Sequence, residues 1–461
     1  MIQQDVADTK RSALIVTTIS SFLTPLALAT VNVALPSIGR AFSIDVITLS
    51  WIATAYILSA AIFLVPLGKI ADMYGRKKIF LLGIVIFTFS SFLLGISINP
   101  NMLIIFRVIQ GIGGAMIFGT GIAILSSVYP PGERGRVLGI NVAAVYIGLA
   151  TGPFLGGVLT QHLGWRSIFL FNCPAGVFIM ILTIKRLKAD WAEAKGESFD
   201  IIGSVIYSIM LLSIMYGFSR LPSFVGTILI IGGIVVMSAF VFWEKRTKNP
   251  ILDISLFMTN RVFTLSNLAA LLNYSATFAV GFLLSFYLQL IKGLKPQEAG
   301  IILVSQPVVQ AILSPIAGRA SDRIEPRIVA STGMAITAFG LFLLAFLTKT
   351  SGLVYIIACL VVLGAGFALF SSPNTNAIMS SVENRYYGVA SSMLATMRLL
   401  GQLFSMGVAM LIFALYMGEV KVSPAHYTSL MESIKTAFIV FGILCTGGVF
   451  ISLTRGDLRK K

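Results

Sequence analysis

Fourteen apolar stretches, each close to or above the ~20 residues that a helix needs to cross the hydrocarbon core of a bilayer, follow one another along this chain. Charge, proline and glycine break the sequence into runs near residues 12–38, 48–71, 78–97, 101–128, 134–160, 165–186 and 199–217. Seven more lie near 224–243, 262–290, 296–320, 326–347, 353–381, 386–416 and 432–453. Fourteen such helices take up roughly 280 residues of the 461, so no sizeable soluble domain fits between them. The runs are too long, and too uniformly apolar, for the short alternating strands of a β-barrel. At 57% apolar and 11% charged residues, the chain also departs from the composition of soluble domains. These features define an all-α integral membrane protein with 14 transmembrane helices.

The net charge of +16, from 34 Lys and Arg against 18 Asp and Glu, reports topology in such a chain before it suggests nucleic acid. An even span count puts both termini on one side. That side holds 24 of the basic residues and the other only 8, while Arg107 and Arg398 fall within spans. The bias predicts cytoplasmic termini in a multi-pass protein of the cell membrane. The N-terminal MIQQDVADTK lacks a basic n-region, so the first span is expected to be retained and to serve as the targeting signal. Cys173, Cys359 and Cys445 fall in apolar runs, and no structural disulfide is predicted.

Internal repetition then divides the chain. Gly68-Lys-Ile-Ala-Asp72 returns as Gly318-Arg-Ala-Ser-Asp322, 250 residues on, and Ala123-Ile-Leu-Ser-Ser-Val128 returns as Ala377-Ile-Met-Ser-Ser-Val382, 254 on. The two nearly equal offsets argue for two pseudo-symmetric six-helix halves, spans 1 to 6 and 9 to 14, plus two inserted helices. The expected units are 1–188, then 189–250 for a linker (Lys188 to Asp200) and spans 7 and 8, then 251–461.

Between spans 2 and 3 the chain reads Gly68-Lys69-Ile70-Ala71-Asp72-Met73-Tyr74-Gly75-Arg76-Lys77-Lys78. Taken alone this is a basic loop with a turn glycine. It resembles the signature loop of the major facilitator superfamily, and the resemblance implies that Asp72 and Arg76 latch the cytoplasmic side when the carrier faces outward. Gly318 and Asp322 are the counterparts of Gly68 and Asp72 in the second half. In span 4, Arg107-Val-Ile-Gln110-Gly111 with Gly113 and Gly114 is similar to a second superfamily motif and puts a permanent cation inside the bilayer, where such residues are costly and usually functional. The alternative is a structural arginine satisfied by carbonyls and Gln110. In span 5, Gly148, Gly152, Pro153, Gly156 and Gly157 match the motif of exporters in that superfamily; small residues permit close helix approach and the proline a kink.

With Thr30-Val-Asn32-Val-Ala-Leu-Pro36 closing span 1 and Ala395-Thr-Met-Arg398-Leu-Leu-Gly401 in span 13, the chain looks like the fourteen-span drug:proton antiporter family. One departure matters. That family commonly carries an acid in mid span 1, where this chain has Leu26-Ala27-Leu28-Ala29, and all eighteen acids here lie in loops, tails or helix ends. His162 and His426 fall in the expected outer loops, where a solvated side chain is the default.

A cavity near the midplane is expected to draw on polar groups within spans: Thr24, Thr30 and Asn32; Tyr56; Arg107 and Gln110; Tyr146; Asn273 and Tyr274; Gln306 and Gln310; and Arg398. Each has a structural alternative, since Thr bonds its own helix and Asn or Gln can simply join helices. The expected function is secondary active efflux of amphipathic, drug-like molecules by alternating access on a proton gradient. The alternative is a specific carrier or flippase for an anionic metabolite or lipid, with the arginines as clamp. No His-Glu-x-x-His, embedded acid pair or Walker loop is present, so neither an enzyme nor an ATP-driven pump is expected. No cofactor, metal or nucleic acid is called for. The expected partners are a small-molecule substrate, the lipid bilayer and protons, and the expected state is a monomer.

Overall fold

The computed structural model describes residues 2–187, 190–192, 194–248, 250–252, 255–383, 387–418 and 424–457, without the side chains of 2–8, 131–132, 134–136, 255–256, 322 and 387–388. Lys188, at the start of the expected linker, and the side chain of Asp322 therefore lie outside the described residues. The first seven spans are Thr9–Phe42, Val46–Tyr74, Arg76–Gly95, Pro100–Val128, Val137–Leu163, Ser167–Arg186 and Ile201–Arg220. The remaining seven are Phe224–Glu244, Arg261–Ile291, Pro296–Ser321, Pro326–Ala345, Leu353–Ser380, Val389–Tyr416 and Pro424–Thr454. Among the described residues there is no β-strand, and all three cysteines are free.

Short turns separate the spans because cap residues start the next helix at once. The Asp45 carboxylate accepts from the Thr48 N–H at 2.9 Å and opens span 2; Asn99 does the same for Met102 in span 4, and Asn260 for Phe263 in span 9. Proline stands at the first turn of spans 4, 10 and 11, where its missing N–H costs nothing. Spans 6 and 10 are each interrupted three residues before a proline, at Phe171 before Pro174 and at Val304 before Pro307. Span 9, which the sequence reads as one helix, breaks at Phe278 and ends in a π-turn, Tyr287–Ile291.

The packing repeats between the halves. Span 1 lies along span 5, and span 4 packs between spans 2 and 3; likewise span 9 lies along span 13, and span 12 packs between spans 10 and 11. Glycines set the closest approaches. A Cβ on Gly83 would stand 3.0 Å from the Gly113 carbonyl, and one on Gly113 would stand 2.9 Å from that of Gly83. Gly333 and Gly366 face each other in the same way, at 2.7 and 2.8 Å, in the equivalent spans 11 and 12. Spans 2 and 13 meet across the halves, as do their counterparts 10 and 5. The inserted spans 7 and 8 pair with each other, and span 7 bridges the halves: Tyr207 donates to the Ala61 carbonyl of span 2 at 3.3 Å, and Phe218 stacks edge-on against Phe404 of span 13.

The glycine pairs yield a direct test. Gly113→Val or Gly366→Val should cost about 1–3 kcal/mol, read as a lowered melting temperature in detergent. Gly232→Val, on the exposed face of span 8 with nothing within 4 Å, should leave the melt unchanged.

Candidate functional site

Between the two bundles lies a mid-depth cavity of about 1460 Å³, including its open mouth. Its wall is mainly apolar, from Leu28, Leu64, Phe118, Phe278, Phe367 and Leu399. Of the polar residues singled out in the sequence, Thr24, Asn32, Tyr56 and Tyr146 reach it from the first half. Tyr274, Gln306, Gln310 and Arg398 reach it from the second. Arg398 is the one formal charge among the lining residues, and its guanidinium sits 5.3 Å from the centre of the Tyr274 ring. Arg398 Nε, Gln310 Nε2 and Asn32 Oδ1 are buried without a hydrogen-bond partner. Leaving such groups unpaired is expensive, and a polar ligand that enters the cavity recovers the cost.

Four candidates are placed elsewhere. Arg107 is fully buried among spans 2, 3 and 4: Nε donates to the Ile52 carbonyl at 3.0 Å, and Nη1 to Gln110 Oε1 at 2.6 Å. Gln110 in turn donates to Ser91 Oγ at 2.7 Å. Two of its three guanidinium nitrogens are thus paired inside one bundle, while Nη2 is buried without a partner, and it meets the cavity only through Tyr56, whose ring lies 4.4 Å away. Thr30 donates to its own helix at the Ala27 carbonyl, and its backbone seats Gly156 of span 5. Asn273 is buried beside Tyr274 but does not line the cavity. Sequence reasoning missed Gln402, which lines it one helical turn beyond Arg398; that four-residue spacing is the signal that could have found it.

One end of the cavity is sealed. We call the end carrying the loop Gly68 to Lys78 the basic end and the opposite one the far end. At the far end, Gln289 of span 9 donates to the Val33 carbonyl of span 1 at 2.8 Å. The Gln297 backbone N–H of span 10 donates to Gln161 Oε1 at 3.3 Å, and its side-chain Oε1 lies 3.0 Å from His162 Nε2, so this histidine bridges the bundles and is not simply solvated. The span 5 motif carries the seal. Gly148, Gly152 and Gly156 seat it against Phe22, Ala29 and Thr30 of span 1, and Gly157 turns toward span 10, where a Cβ would stand 2.6 Å from the Pro296 carbonyl. Gly300 of span 10 faces the Pro153 carbonyl reciprocally. At mid-depth the Tyr146 hydroxyl meets Ser371 Oγ. Toward the basic end the bundles part, leaving Gly68 with nothing within 4 Å and Gly318 with only Ser372 of its own half.

At that basic end Arg76 donates to Asp72 at 2.7 Å and to the Ala123 carbonyl at 3.3 Å, and it meets Ser127, all within the first bundle. The linker straps this loop: Ala194 N donates to the Asp72 carbonyl, Arg76 N to that of Trp191, and Lys77 N to Asp190, each at 2.8–2.9 Å. Lys69 pairs with Glu197 at 2.5 Å. Among the described residues no group of three or more His, Cys, Asp or Glu could hold a metal ion.

Two six-helix bundles around a central cavity, sealed at one end, form the architecture of a membrane transporter. The sequence profile of the Major Facilitator Superfamily matches residues 17–245 and 266–460, and the chain belongs to that superfamily. It is 33% identical to the riboflavin transporter RibZ of Clostridioides difficile, over 86% of each chain. It is also 30% identical to the multidrug resistance protein Stp of Mycobacterium tuberculosis, over 87% of this chain and 75% of that one. In fold it is similar to a crystal structure of a bacterial homologue of the human lysosomal transporter Spinster, inward-facing and unoccupied, with a TM-score of 0.71 over 97% of both chains at 15% identity.

Removing the small residue at the seal should unseat it. Gly157→Leu is expected to fold but to hold the far end open, so that Asn32→Cys becomes several-fold more reactive to an impermeant maleimide added at that end. Unchanged labelling would contradict the assigned role of Gly157.

Proposed function

We propose that this chain exports amphipathic small molecules across the cell membrane by alternating access, with the proton gradient as energy source and protons as coupling ion. The observation that carries this reading is the large, mostly apolar central cavity sealed by the exporter-type motif of span 5. With both termini cytoplasmic, as the 24-to-8 distribution of basic residues favours, the basic end faces the cytoplasm and the described state is open inward. Rocking of units 1–188 and 251–461 about the cavity then moves the substrate outward, while 189–250 rides along the junction. Asp72 and Arg76, paired with each other here, become the latch once the basic end closes.

The lining favours neutral, zwitterionic and anionic amphiphiles at least as much as lipophilic cations, because its formal charge is the positive one of Arg398. A second reading, a dedicated carrier or flippase for an anionic metabolite or lipid, draws on the same residue. The similarities to a riboflavin transporter and to a multidrug resistance protein suit a dedicated carrier and a drug exporter respectively.

Uptake of a cationic, a neutral and an anionic dye into energised everted vesicles tests the proposal. Uncoupler-sensitive uptake of the neutral or anionic dye is expected. Arg398→Gln should reduce anionic dye uptake about tenfold, the worth of a charge-assisted hydrogen bond, and neutral dye uptake far less. Arg107→Gln should reduce all three together. Uptake restricted to the cation would overturn the substrate class, and uptake of none would overturn the exporter.

A further inference from the structure

A second cavity, of about 550 Å³, opens at the basic end between spans 1 and 6, well away from the transport path. Arg11, one helical turn before Ile15, and Arg186, the last residue of span 6, form its rim, with Ser12 in the wall and Ile15 and Leu182 beneath. Neither arginine has an anionic or carbonyl partner among the described residues. The nearest basic neighbour along span 1, Lys10, is already neutralised by Glu133 at 2.9 Å. The cleft is thus doubly positive at its rim and apolar below, where Ile15 is 41% exposed.

We propose that this cleft is a lipid site, taking the phosphodiester of an anionic glycerophospholipid between Arg11 and Arg186 with an acyl chain over Ile15 and Leu182. Guanidinium groups grip phosphate oxygens in pairs, and their weak hydration suits them to the headgroup level of a membrane. The depth order matches a lipid: charge at the ends of the spans, apolar side chains one turn further in. A soluble phosphate would gain from the arginines alone, whereas a phospholipid also covers Ile15 and Leu182. The site is independent of what the carrier transports.

Native mass spectrometry of the full chain, released from detergent supplemented with equal phosphatidylglycerol and phosphatidylcholine, tests this. The wild type is expected to retain phosphatidylglycerol selectively. The double substitution Arg11→Gln/Arg186→Gln should weaken retention at least about tenfold, while Lys185→Gln, on the exposed side of the same turn, should leave it within twofold. An equal loss in Lys185→Gln would reduce the effect to general surface charge and overturn the site. Retention unchanged in the double variant would overturn it as well. Displacement of the lipid by millimolar inorganic phosphate would identify a free-anion site and overturn the lipid assignment. A thermal melt of each variant separates loss of the site from loss of the fold.

Discussion

The backbone contact between span 5 and span 10 is the constraint on which this transporter's state depends. Gly157 and Gly300 each present a bare Cα to a carbonyl of the other helix, and any side chain there forces the bundles apart. In a bilayer the hydrophobic effect does not hold helices together, so close packing of small residues supplies much of the attraction. The same contact is shape-specific without being charged, which lets it form and release during a transport cycle at little desolvation cost. The other motif glycines of span 5 bind it to span 1, so the helix that carries the far-end seal is anchored in its own bundle.

The buried charges divide between the bundle interior and the cavity. Arg107 is spent inside the first bundle, tying spans 2, 3 and 4 to one another through Ile52, Gln110 and Ser91. Arg398 faces the cavity with its Nε unpaired, where a ligand can meet it. The loop from Gly68 to Lys78 is held within the first half by Arg76 and by the linker that crosses it, and its Asp72 is engaged with Arg76 in place of the opposite bundle. Span 7 touches both spans 2 and 13, so any relative rotation of the halves has to slide past it.

Much of this was legible in the sequence because membrane insertion demands length and apolarity that show in one dimension. The fourteen spans and the duplication marked by Gly68 and Gly318 are of this kind, and the structure extends the repeat to Gly83–Gly113 and Gly333–Gly366. The helix breaks in spans 6 and 10 follow from Pro174 and Pro307, but the break at Phe278 has no such marker. The cavity was half legible. Embedded polar residues could be found, yet their direction could not: Arg107 and Arg398 look alike in sequence, and one faces its own bundle while the other faces the cavity. The apolar wall was not legible at all, since Phe118 or Phe367 has the same hydropathy whether it faces lipid or substrate.

The central claim is that the two ends open in alternation about the span 5 and span 10 seal. Paired spin labels at Ile98 and Val354, exposed at the far end, and at Tyr74 and Ile324, exposed at the basic end, measure both gaps by dipolar spectroscopy in lipid nanodiscs. Adding a transported dye should populate a longer far-end distance and a shorter basic-end distance in equal fractions, with Gly157→Leu shifting both the same way without dye. Distances that lengthen together, or a far-end distance that never changes, would contradict the account.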